Sequence, residues 1–417
     1  MPSQPFTMNP NYLAMARGVR ELNQIMAEGK DDSPEADAIR QATDAPWEAL
    51  SEIERRRIRN LSEDLYSLHE PVAPARATNP QAQSKLSGVV EAQKQGDWDQ
   101  ALDLLRRWGS YLDPALVSYL RGSIWLEAGD PADAALFFEH AAKLQPENKD
   151  YLAMFLIALG NSDFDAARRR AEEILGEPDQ WPPRVVALAV DIEFKSLKKT
   201  SESEAAKRLR RLMPILDSTL GRFEQEDIDA LDRPSCVMTL GLLGFAHEYL
   251  GESQLALKAL TRALQIDPTI QALLVARGML LYGTSPRATT DFELAIHNHS
   301  PLIWPYFFLA HHHLLNNRFN ECRRLCERAL EMQGSAAVMS ELSEWLAITQ
   351  SKLGFPIEMV RASFENAIRL DPSNERATRN FASFETAVGS TLTPWETRSS
   401  AAVRSSGLAE RRFKMAA

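Results

Sequence analysis

Residues of the same kind return every 34 positions along much of this chain, and that period limits its fold more than any other feature. The clearest copy runs Leu240, Leu243, Gly244, Ala256, Leu260, Ala263 and Pro268. Large, small and helix-ending residues in this order suit one helical hairpin packing on the next. Such a hairpin cannot bury its apolar face alone, so copies must stack and the body grows along one axis. The 417 residues therefore predict one elongated array rather than two or three separate domains. Function is expected on the surface that stacking creates.

Composition narrows the classes further. The chain is 44% hydrophobic and 25% charged, and no apolar run approaches the ~18 residues of a membrane helix, so no membrane role is expected. The start, MPSQPFTMNPNYLAMARG, lacks both a basic-then-apolar stretch and a small-residue cleavage site, so it does not read as a secretion signal. Cys236, Cys322 and Cys326 are too few for a disulfide framework and fit a reducing, cytoplasmic compartment. A net charge of −10 argues against nucleic-acid binding, which relies on clustered Lys and Arg. The short basic runs at Arg55, Arg56, Arg57 and Arg59 and at Arg411, Arg412 and Lys414 read as a solvated helix face and a loose tail.

Along the chain, residues 1–10 are expected to be flexible and residues 11–69 to form an N-terminal helical module. Met15, Val19, Leu22, Ile25 and Met26 recur at helical spacing before Gly29 breaks the run. Ser33-Pro34-Glu35 opens a second helix. Ser51 and Glu54 form a capping box for a third, reaching about His69, with Leu50, Ile58, Leu61, Leu65 and Leu68 as an apolar stripe. Residues 70–81 read as a linker and 82–388 as the repeat array. An irregular unit is expected at 182–236, with two long helices around Lys198 to Ser203 and an exposed acidic loop from Gly221 to Pro234. The copy at 271–302 is two residues short at Gly283-Thr284-Ser285-Pro286, Arg376 to Val388 can close the array, and 389–417 is expected to be disordered.

These units resemble the tetratricopeptide repeat family. Copies 115–148, 237–270 and 341–374 carry its pattern best, down to the closing pairs Gln145-Pro146, Asp267-Pro268 and Asp371-Pro372. Trp108 stands where a small residue is usual, and Arg121 and Arg277 stand where Leu is usual. The module with Asp44-Ala45-Pro46-Trp47 is similar to the front of uncharacterised bacterial repeat proteins of this type, a match that carries no function. The resemblance implies an all-α, right-handed superhelical solenoid of helix-turn-helix repeats behind an N-terminal helical module. Its first helices would line a concave groove, with Tyr119, Phe245, Met279, Tyr282, Trp304, Phe307, His311 and Trp345 facing into it. One subtype clamps a C-terminal carboxylate with Lys and Asn; here Leu86 and Val90, Tyr119 and Ser123, Gly241 and Phe245, and Phe307 and His311 stand there, so that clamp is missing.

No Gly-x-Gly-x-x-Gly, Gly-x-x-x-x-Gly-Lys-Ser/Thr or Gly-x-Ser-x-Gly run occurs, and the carboxylates follow helix surfaces, so neither catalytic residues nor cofactors are expected. His311-His312-His313 with Cys322 and Cys326 has the residue types of a zinc site, but His313 and both cysteines fall on core positions of the repeat, and free cysteine packs as a small hydrophobe. Packing is preferred to a metal there. The expected function is a non-catalytic scaffold binding an apolar or amphipathic protein segment in the groove, with a few aromatic anchors and an acidic rim. One alternative is an assembly or regulatory subunit whose N-terminal helices dimerise or occupy its own groove; the least favoured is a metal-dependent enzyme around the His/Cys cluster.

Overall fold

The computed structural model describes residues 9–69, 71–76, 80–225 and 232–389, and among them the regular structure is helical. The chain divides into two compact units, Met1–Glu193 and Phe194–Ala417. The division falls inside the stretch expected to be irregular.

The first unit opens with α1 (Pro10–Ala27), α2 (Pro34–Glu48) and α3 (Glu52–Tyr66). Their starts were legible because local chemistry sets them. Ser33 accepts from the Ala36 amide ahead of Pro34, and Ser51 and Glu54 cap each other's backbone as a complete capping box. The hairpins follow as α4 (Pro80–Lys94) with α5 (Trp98–Trp108), α6 (Pro114–Glu127) with α7 (Pro131–Leu144), and α8 (Lys149–Ser162) with α9 (Phe164–Gly176). Asp97, Asp113, Asp130, Asn148 and Asp163 cap the helices that follow them. Helix α10 (Pro183–Ser196) spans the division.

The second unit holds α11 (Glu202–Gln225) and then four hairpins: α12 (Arg233–Tyr249) with α13 (Ser253–Ile266), α14 (Gln271–Leu281) with α15 (Arg287–His297), α16 (Trp304–Leu315) with α17 (Phe319–Leu330), and α18 (Ala336–Lys352) with α19 (Ile357–Leu370). Helix α20 (Glu375–Gly389) closes it. From α4 to α9 and from α11 to α20 consecutive helices pack as neighbours, the arrangement of stacked helix-turn-helix repeats, while in the N-terminal module α1 packs on both α2 and α3.

Three expectations need correction. Helix α10 has the ordinary 14 residues, and only α11, with 24, is long. Gly221 to Gln225 continue α11 and Arg233 already begins α12, so the expected acidic loop shrinks to a segment of which 226–231 lies outside the described residues. Helix α3 ends at Tyr66 and α4 begins at Pro80, two residues before the expected start of the array. The expectations for 1–8 and 390–417 likewise fall outside the described residues; of the expected linker, 71–76 is described without regular structure, 80–81 belong to α4, and 70 and 77–79 lie outside the described residues.

The small position of the first helix is set by close approach. A Cβ on Gly122 would sit 2.8 Å from the Phe138 ring, and one on Gly278 would sit 2.6 Å from the Phe292 ring. Phe138 follows Gly122 by 16 residues, whereas Phe292 follows Gly278 by 14, so the two-residue deficit of that copy is absorbed between α14 and α15 while the contact is kept. Both α14 and α15 shorten to 11 residues to allow it.

Charge pairs tie the N-terminal module to the repeats. Arg20 on α1 reaches Asp130 and Asp133 at the start of α7, at 3.4 and 3.0 Å. Arg57 on α3 pairs with Asp99 at 3.0 Å, and Asp64 takes Arg106 at 2.9 Å and Arg121 at 3.5 Å. Arg121 also donates to Ser67 at 2.5 Å. Its departure from the usual Leu is thus explained: it meets the module. Arg57 is drawn out of the basic run that read as a solvated face. The stripe of Leu50, Ile58, Leu61 and Leu65 is buried in the core of the first unit with Leu102, Leu105 and Trp125, so the feature that suggested dimerisation is already engaged within one chain.

Candidate functional site

The eight candidate residues do not form one open strip. Tyr119 belongs to the first unit, half-buried between the rings of Phe138 and Tyr151 at centroid distances of 5.5 and 5.0 Å. The other seven lie in the second unit. There Met279 (4% exposed), Phe307 (1%), His311 (5%) and Trp345 (2%) are core residues, while Phe245, Tyr282 and Trp304 are half-buried against that core. The reading of Phe307 and Trp345 as exposed anchors is therefore corrected: helix α16 is buried without a break from Pro305 to His311, as expected of a helix apolar on all sides.

What the fold does assemble is an aromatic layer. Phe307 lies 4.7 Å from Trp345 and 5.4 Å from Phe308, and Phe308 stacks on Phe292 at 5.4 Å. Tyr282 and Trp304 flank Phe308 at 4.9 and 6.2 Å, so the two half-buried rings sit over one aromatic floor. Pairs at these separations add attraction beyond area burial. The Tyr282 hydroxyl hydrogen-bonds His311 Nδ1 at 2.7 Å, and burial pushes the phenol well above its ordinary value, which keeps it neutral. The layer presents apolar faces with one buried polar handle.

The residues of the His/Cys cluster have other partners. Cys322 and Cys326 are fully buried with their sulfurs 3.9 Å apart, and burial pushes the Cys326 thiol well up, away from the thiolate a metal would need. His311 turns to Tyr282, and His312 stacks edge-on against His313. Among the described residues no group of three or more His, Cys, Asp or Glu is arranged to hold a metal ion. No helix among them is long and apolar enough to cross a membrane.

Buried ion pairs were missed. Arg277 on α14 makes a bidentate pair with Asp291 on α15 at 2.7 and 2.8 Å. Glu344 on α18, fully buried, takes Arg376 on α20 at 2.8 Å and also accepts from Asn380 at 2.7 Å. The expectation that carboxylates follow helix surfaces fails for Asp64, Asp130, Asp133, Asp291 and Glu344, all buried. Arg121 and Arg277 at positions usual for Leu were the only signal, since a guanidinium in a core position demands a partner.

Both matches to a family profile fall on the hairpins just described. The description "Tetratricopeptide repeat" covers residues 89–149, spanning α4 to α7, and again residues 239–270, spanning α12 and α13. Residues 89–149 and 239–270 are tetratricopeptide repeats. Repeats of this kind build protein-interaction scaffolds, and of the half-buried rings of the second unit Phe245 and Trp304 sit on first helices of its hairpins while Tyr282 caps the end of another, α14. Among solved structures, a tetratricopeptide repeat protein from Parabacteroides merdae aligns over 65% of this chain and 100% of its own at 12% identity and TM-score 0.38. An IFIT1 monomeric mutant with Gppp-AAAA aligns over 99% and 95% at 13% identity and TM-score 0.43. Yeast Tom70 aligns over 80% and 85% at 13% identity and TM-score 0.25. At such identities and scores the likeness says nothing about what this chain binds. No curated protein sequence matches it.

The module junction carries a pH dependence. Asp133 is fully buried, and burial together with the neighbouring Asp130 carboxylate pushes its carboxyl well up, more than Arg20 pulls it down. A carboxyl raised in the folded state contributes its full stability below the ordinary value of about 4. That contribution is lost as pH rises through the raised value. Asp133→Asn, neutral throughout, is expected to gain stability relative to wild type as pH climbs from about 4 toward neutrality. Urea unfolding at stepped pH measures the difference, and a difference independent of pH would remove this assignment.

Proposed function

We propose that the chain is a non-catalytic interaction scaffold that receives an apolar or amphipathic segment of a partner protein on the first-helix face of its second unit. The observation that carries the reading is the pair of half-buried rings, Trp304 and Tyr282, lying over the buried layer of Phe292, Phe307 and Phe308. Rigid aromatic side chains backed by a packed floor lose little entropy when a partner covers them, the property of residues that dominate interfaces. Phe245 on α12, half-buried on the same core, extends the candidate surface. Met279, Phe307, His311 and Trp345 support that surface from beneath.

The expected outcome is specific to the half-buried rings. Trp304→Ala weakens partner binding by ~1–3 kcal/mol, while a Lys258→Ala control on an exposed part of α13 does not. Partners captured by wild type and lost by Trp304→Ala are identified by mass spectrometry, and their affinity is then measured by calorimetry. Equal affinity of wild type, Trp304→Ala and Tyr282→Ala for every captured partner would overturn the proposal.

A further inference from the structure

The chain carries net charge −10, yet residues 195–211 hold seven Lys or Arg against two carboxylates, Glu202 and Glu204. The stretch runs from the end of α10 into α11, within the second unit, where the repeat pattern is interrupted. Lys198 and Lys199 are exposed in the turn between the helices, and Lys207, Arg210 and Arg211 are exposed on α11. None of these five makes an ion pair among the described residues. The two segments are held together: Arg208 donates to Ser196 at 2.6 Å, placing the turn beside the second turn of α11. The buried side of α11 runs through Ala205, Leu209, Leu212 and Leu216, so the three cations of the helix lie on its opposite side. Lys207 and Arg211, four residues apart, repel each other in the free chain, and an anion between them relieves that repulsion.

We infer that this junction docks a short acidic segment of a partner protein. The composition of the island selects among anions. It has no aromatic residue from 195 to 211 on which a nucleobase could stack, as single-stranded nucleic acid requires. It exposes no large apolar side chain to enter a lipid surface; its only Leu residues, Leu197 and Leu209, are buried. The remainder of the chain is acidic, which repels a long polyanion and leaves a short peptide the least penalised ligand. This surface is separate from the aromatic one, and either can fail without the other.

The test uses the full chain and three fluorescent probes: an oligoglutamate peptide of about ten residues, an oligoglutamine of equal length, and a single-stranded oligothymidylate of similar charge, each at about 0.05 M and 0.3 M NaCl. Oligoglutamate is expected to bind and oligoglutamine not. The triple variant Lys198→Glu, Lys207→Glu and Arg211→Glu is expected to weaken binding about tenfold or more. The control Lys85→Glu, Lys258→Glu and Arg324→Glu makes the same change in net charge at exposed positions elsewhere and is expected to shift affinity less than about threefold. Thermal unfolding checks that both variants fold; if the triple variant does not, Lys198→Gln with Arg211→Gln takes its place with a smaller loss expected. Equal losses in variant and control, tighter binding of oligothymidylate than of oligoglutamate, or no binding of oligoglutamate at low salt would each overturn the inference.

Discussion

Phe307→Ala is expected to destabilise the second unit by ~3–5 kcal/mol, because removing a fully buried ring loses its transfer free energy and leaves a cavity that the surroundings only partly fill. The ring touches Trp304, Phe308 and Trp345 at centroid distances of 5.9, 5.4 and 4.7 Å, so the hole opens in the middle of the aromatic layer. Stacked repeats lean chiefly on their neighbours, and the loss should fall on the hairpins around α16 and α18 while the first unit keeps its own transition. Urea unfolding followed by tryptophan fluorescence, to which Trp304 and Trp345 of this layer contribute, together with far-ultraviolet circular dichroism, reads the change. An unchanged midpoint would show that Phe307 is not the core residue its 1% exposure indicates. The contrast with Trp304→Ala is the useful part: one substitution is expected to change stability, the other affinity.

Replacing Arg277 by Leu, the residue usual at that place in tetratricopeptide repeats, is expected to cost ~3–5 kcal/mol rather than help, since it strands the Asp291 carboxylate in the core. Both side chains of the pair are nearly inaccessible, at 6% and 4%. Changing both, Arg277→Leu with Asp291→Leu, is expected to recover most of that cost and can exceed wild-type stability by ~1–4 kcal/mol, because neither charge then has to leave water. A double-mutant cycle by chemical denaturation measures the coupling. A neutral Arg277→Leu would mean that Asp291 is already satisfied without it.

Much of the fold was legible because it is local. Caps such as Ser33 and Ser51 act within one turn, and the 34-residue return of small and large residues follows from one hairpin meeting the next. The candidate surface was less legible for a geometric reason. Periodicity identifies which residues point away from a helix's own partner, but not whether a neighbouring helix covers them. Tyr282 and Phe307 read alike in the sequence, yet Tyr282 is only half-buried whereas Phe307 is buried. The charge pairs were hidden likewise, since Arg20 finds Asp133 across 113 residues and Arg376 finds Glu344 across 32.

Repetition, helix starts and the all-helical class are therefore written in short stretches of residues, where spacing and capping chemistry act on a few neighbours and need no knowledge of the rest. Which apolar side chains vanish into the aromatic layer, which carboxylates accept burial, and how the N-terminal helices engage the first repeats depend on side chains meeting over long separations. Burial is a property of the assembled body, set by what lies on the far side of each residue, and that is where one ring becomes a floor and its neighbour a surface.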